Sequence, residues 1–167
     1  SYDLLTKGEK VGVISLEESV QRSIRGLVGL ALNRPIHLPD VREEIPEEDL
    51  KEAWKKLSNN CFFYDHWGST DDSNLINKIK YLAQACDCKW IMLDHVSIVV
   101  SGTTEGDERR TIDALMTKLR GLAENLQIGI VIISHLRRPE GNKGHEDGVQ
   151  VSLGQLRGSH SIAQLSD

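Results

Sequence analysis

Three cysteines, Cys61, Cys86 and Cys88, are too few and too irregularly spaced for a disulfide framework. The Cys86-x-Cys88 pair has no second Cys/His pair to complete a zinc site, so free thiols in a reducing, intracellular compartment are expected. No apolar run approaches the roughly 20 residues needed to span a bilayer, and no signal peptide opens the chain; no membrane contact is expected. Positive charge is not in excess either: 20 Lys and Arg against 25 Asp and Glu give a net charge of −5. That balance excludes a blanket electrostatic grip on nucleic acid, and any such contact must come from a local basic loop. The phosphate-binding pattern G-x-x-x-x-G-K-[ST] occurs nowhere, and the glycine-rich stretch from Gly141 to Gly148 lacks its Lys-Ser/Thr pair. There is no internal repeat and no low-complexity segment.

What is present alternates between two patterns. Val11 to Leu16 is a β-rich run after the turn-like Lys7-Gly8-Glu9-Lys10. Val20, Ile24, Leu27, Val28 and Ala31 then recur with a period near 3.6, which predicts a helix. Asn33-Arg34-Pro35 should end it, because proline disfavours α geometry in the residue before it. After a polar connection, Pro46-Glu47-Glu48-Asp49 is a good helix start, and that helix should run to about Leu57. Cys61 to Tyr64 reads as a buried strand, Asp71 to Ala85 as a helix, and Trp90 to Leu93 as a strand ending at Asp94. The clearest helix spans Asp107 to Leu126, and Gly129 to Ile133 is a further apolar strand. Apolar strands alternating with amphipathic helices predict one α/β domain, a mainly parallel sheet covered by helices on both faces.

Ligands of such sheets bind beyond the carboxyl ends of the strands. Three strands end in reactive residues here: Glu17-Glu18, Asp94-His95 and Ser134-His135. A buried strand ending in Asp94 can place one carboxylate rigidly near a nucleotide-bound Mg²⁺, directly or through a water ligand. Glu17 can orient and deprotonate an attacking water, while Glu18 is placed to cap the following helix. His135 can sense a γ-phosphate by hydrogen bonding or be a satisfied imidazole. Beyond it, Arg137 to Gly148 holds three glycines and three basic against three acidic residues, so nothing in it can pack a core. Such a segment is either an ordinary surface loop or one whose basic groups follow a phosphate backbone.

These residues resemble a known family. Trp90 to Gly102, with IMLDHVSIVVSG at its core, is similar to the helicase domain of the primase–helicases of short-tailed phages, with Twinkle and DnaB helicases as more distant relatives. Asp107-Glu108-Arg109, Met116-Thr117-Lys118-Leu119, Ser134-His135-Leu136, His145 to Gly148, Leu156 to Ser159 and Gln164 to Asp167 continue the likeness. Upstream, Leu16-Glu17-Glu18-Ser19 belongs to the same pattern, and the similarity is thinnest from about Leu38 to Asp72.

The resemblance implies a RecA-like motor domain, truncated at both ends, with residues 1–167 as its central segment. The P-loop would then precede residue 1, and the arginine finger would follow residue 167. It implies Glu17 as the catalytic glutamate, Asp94 as the Walker B aspartate near Mg²⁺, and His135 as the residue linking nucleotide state to the DNA loop. Arg137 and Lys143 match basic DNA-contacting positions, and Gly141 stands where some relatives carry a further lysine. Gln164 matches a glutamine near the nucleotide, whereas Ala163 replaces a neighbouring basic residue of some relatives. The implied protein is an ATP-dependent 5′-to-3′ replicative DNA helicase, a homo-hexameric ring on single-stranded DNA. ATP or another NTP with Mg²⁺ would be its cofactors, and a primase domain and DNA polymerase its possible associates. Its compartment would be the phage-infected or bacterial cytoplasm, or the mitochondrial matrix for an organellar relative. Two other readings fit the fold: a RecA-like recombinase, which forms filaments, and a nucleotide-independent DNA-binding or assembly module.

Overall fold

A computed structural model of the chain describes residues 1–64, 72–96, 105–135 and 161–167. Its centre is β1 (Val11–Ser15), whose side chains feed two separate cores. Ile14 joins the core on one face of the sheet, and Val11 and Val13 join the core on the other. The flanking strands are β2 (Cys61–Tyr64), β3 (Trp90–Asp94) and β4 (Gly129–Ile133). All three pairings are parallel and the order is β2-β1-β3-β4. From β1 the chain crosses to one side, and from β3 it proceeds to the other. The point between the carboxyl ends of β1 and β3 is therefore the topological switch point, where α/β sheets place ligands.

Helices cover both faces, as expected. On one face α5 (Asp72–Gln84) contributes Leu75, Ile79 and Leu82, and α6 (Glu105–Leu126) contributes Ile112, Leu115, Met116 and Leu119. The short α7 (Ser161–Gln164) adds Ile162 to the same core. Gly12 lets α5 approach closely, since a Cβ there would lie 2.9 Å from both Ile91 Cδ1 and Leu82 Cδ1. The opposite face is packed by Leu5 of α1 (Tyr2–Thr6), Leu27 of α2 (Val20–Leu32) and Leu57 of α4 (Glu47–Ser58). Val28 and Ala53 join α2 to α4 through Ile36, ahead of the small α3 (Pro39–Glu43). The cover is thinnest at β4, an edge strand among the described residues, where Val131 and Ile133 are exposed.

The helix ends follow local chemistry. Ser19, not Glu18, caps α2: its hydroxyl accepts from the Arg22 N–H, while Glu18 pairs with Arg22 at 3.1 Å. A hydroxyl at the N-cap reaches the free amide on a shorter arm than a glutamate can. At the other end Asn33 adopts the left-handed conformation at φ 50°, and the Arg34 N–H returns to the Gly29 carbonyl. The helix thus stops at Asn33-Arg34-Pro35, as the sequence predicts. Two short helices appear without an expectation of either: α1 before the turn-like Lys7-Gly8-Glu9-Lys10, and α3 within the polar connection. The three cysteines are free thiols, and burial pushes Cys61 up to about 12 and Cys88 to about 11. Among the described residues no helix is long and apolar enough to cross a membrane.

Candidate functional site

Strand register builds the site. Ser15 stands opposite Asp94 across the β1–β3 ladder, so the residues following both strands leave the sheet side by side. The Leu16 N–H donates to the Asp94 carbonyl at 2.6 Å, which carries the pairing one residue beyond β1. The buried Ser15 hydroxyl then accepts from the Glu18 N–H at 3.2 Å. This turn fixes the backbone on both sides of Glu17 and aims it over the strand ends. β3 and β4 are also in register, with Asp94 opposite Ile133, which brings His135 to the same end of the sheet.

The result is a cluster drawn from three adjacent strands. Glu17 Oε2 lies 3.3 Å from His95 Nε2 and 3.6 Å from His135 Nε2. The two imidazoles lie against each other with centroids 3.9 Å apart and planes 32° from parallel. His95 is buried, its side chain 9% exposed, whereas Glu17 and His135 are 58% and 47% exposed. The buried ring is thus a fixed wall, and the two open groups face whatever enters from solvent. The Asp94–His95 peptide bond is cis.

Of the residues singled out from the sequence, Glu17 and His135 meet in this cluster, and Asp94 ends the β3 strand beside it. Gln164 does not belong to the cluster: it is exposed on α7, whose Ile162 and the following Leu165 pack into the core beneath α6. Arg137, Gly141 and Lys143 lie outside the described residues. Sequence reasoning gave no role to His95, although its place directly after the strand-end acid at the switch point was a usable signal.

Two kinds of ion suit different parts of the crevice. Asp94, held at the end of the β3 ladder, offers oxygen only and fits a hard cation such as Mg²⁺. Glu17, His95 and His135 offer one carboxylate and two imidazoles with donor atoms all within 4.8 Å of one another. Their separations are also those of a hydrogen bond, an electrostatic contact and a ring contact, and no ion is required to explain them.

Comparison with known proteins decides the family. The model of the DnaB-like helicase C-terminal domain matches residues 2–167. The chain belongs to that family. A DNA helicase/primase of Enterobacteria phage T3 is 40% identical over 166 residues, covering 96% of this chain and 29% of the relative. A probable plasmid replicative DNA helicase of Chlamydia psittaci is 29% identical over 171 residues, covering 98% of this chain and 36% of the relative. The chain therefore spans about a third of the length of these relatives. Among solved structures, the ATPase domain of another DnaB-like helicase superposes with a TM-score of 0.75 at 19% identity, over 99% of this chain and 60% of that one. A DnaB-like replicative helicase, described with its interactions with primase, gives 0.77 at 19% identity, over 99% and 41%. The sheet is thus RecA-like, as the resemblance implied.

Proposed function

We propose that this segment is the central part of an ATP-driven motor that unwinds DNA at a replication fork. The observation that carries the reading is Glu17 projecting beside the Asp94 strand end, at the switch point of a parallel sheet in a DnaB-like helicase domain. Membership of that family favours a helicase over a filament-forming recombinase or a nucleotide-independent module.

On this reading Asp94 would hold Mg²⁺, directly or through water, and the ion would supply charge neutralisation at the phosphates of the nucleotide. Glu17 accepts a proton from the attacking water as that water approaches the γ-phosphate in line with the leaving oxygen. Its exposed carboxylate is accessible to water, and its contacts with His95 and His135 bias where it points. His135, two residues past the end of β4 and within reach of Glu17, would pass the state of that carboxylate to the segment following it. Arg137, Lys143 and the backbone at Gly141 in that segment would follow the phosphates of single-stranded DNA, and Gln164 would lie near the nucleotide or a subunit boundary.

The P-loop would be supplied before residue 1 and the arginine finger after residue 167, within a closed homo-hexameric ring with ATP between subunits. Among the described residues, the unpaired edge and exposed face of β4 fit the packing of further motor elements there. A primase domain and a DNA polymerase are the associates this reading allows, in an intracellular reducing compartment. The full-length protein should displace a strand from a forked duplex with a free 5′ tail, in the presence of ATP and Mg²⁺. A protein that hydrolyses ATP on single-stranded DNA but displaces no strand in either polarity contradicts the proposal.

A further inference from the structure

We propose that His95 is a positioning residue for Glu17, holding the carboxylate in the pose that activates water and joining it to His135. The inference deepens the reading above and rests on Glu17 being the water-activating acid.

Glu17 alone is poorly suited to its task. It is more than half exposed and turns about three side-chain torsions, so its carboxylate samples many positions unless something restrains it. Ser15 restrains only the backbone around it, by accepting from the Glu18 N–H. His95 supplies the missing restraint. It follows β3 directly, is buried, and is succeeded by Val96, which is fully buried in the main core. Its ring therefore has no room to swing out, and its Nε2 stands 3.3 Å from Glu17 Oε2, within reach for an N–H to donate. A donor already immobilised by the core fixes the carboxylate with little further ordering when substrate arrives.

The geometry also divides the carboxylate between two duties. Both imidazoles face the same oxygen, Oε2, at 3.3 Å and 3.6 Å. Oε1 is then the oxygen that addresses the water. The half-exposed His135 ring lies against the buried His95 ring at 3.9 Å. Any displacement of His135 must slide along or press on a ring that cannot retreat, and the motion reaches Glu17 through Oε2. His95 is in this way the fixed member of a three-residue linkage spanning β1, β3 and β4.

The test uses full-length protein and measures ATP hydrolysis, ATP affinity and thermal melting for His95→Leu and His95→Gln. Leucine fills the space without an N–H, whereas the glutamine amide can place a donor where the imidazole Nε2 was. His95→Leu should lower kcat about 10- to 100-fold with KM for ATP changed by less than about twofold, the pattern of a lost transition-state contact. His95→Gln should recover most of that loss. Full activity in His95→Leu, or equal loss in both variants, overturns the proposal. If His95→Leu does not fold, His95→Asn replaces it under the same criteria, because its amide is too short to reach Glu17. Glu17→Gln run alongside separates the two claims. ATP turnover persisting in Glu17→Gln refutes the role of Glu17; its loss, with His95→Leu fully active, refutes only that of His95.

Discussion

Glu17, Asp94 and His135 were legible because each ends or follows a strand, and strand ends in parallel sheets carry ligand chemistry whatever the rest of the fold. The contact between Glu17 and His95 was not legible. It joins residues 78 positions apart through the β1–β3 register, and a sequence records neither the register nor the direction a side chain takes from a turn. Ser19, a preferred N-cap residue directly ahead of the apolar period, caps α2 where Glu18 was expected to do so. Gly129 is a further case in which residue type reports a contact only the structure reveals. It opens β4 directly opposite Trp90, and a Cβ there would overlap the Trp90 indole. Gly129→Ala should destabilise the fold by about 1–3 kcal/mol, because the indole must leave its position or the strands must separate. Urea denaturation checks this, and an unchanged midpoint would show that the ring moves aside freely.

Long elements were legible and short ones were not. The helices α2, α4, α5 and α6 each run for three turns or more and display enough apolar positions to establish a period. α1 and α3 have five residues each, too few for a period to show. The strands were found because their residues are apolar throughout, the expected pattern when helices pack both faces of a parallel sheet. At β4 that pattern overstates the burial among the described residues, since Val131 and Ile133 are exposed on one face. An apolar strand indicates what its environment can be, whereas exposure depends on which elements are present to cover it. For α2 the local account is quantitative. Ser19→Ala removes the hydroxyl that accepts from the Arg22 N–H, and should cost about 1 kcal/mol, within the usual range for losing such a cap. Thermal unfolding of the variant should show the loss, and restoration by Ser19→Asp would attribute it to the cap.

For the whole molecule, the sheet order matters more than any single residue. Because the chain leaves β1 toward β2 and leaves β3 toward β4, the ends of β1 and β3 form a crevice that no other adjacent pair among the described strands provides. Glu17 follows β1, Asp94 ends β3, and His135, two residues past the neighbouring β4, joins Glu17 in the cluster. The match of the family over residues 2–167 and the superposition on DnaB-like helicase folds fit this arrangement.

If Glu17 activates the water, its loss must show in DNA-stimulated ATP hydrolysis by full-length Glu17→Gln. The variant should bind ATP with near-normal affinity while hydrolysis falls by about 100-fold or more, the usual scale for losing a general base. Stimulated hydrolysis within a few-fold of the unaltered protein would mean that another group activates the water.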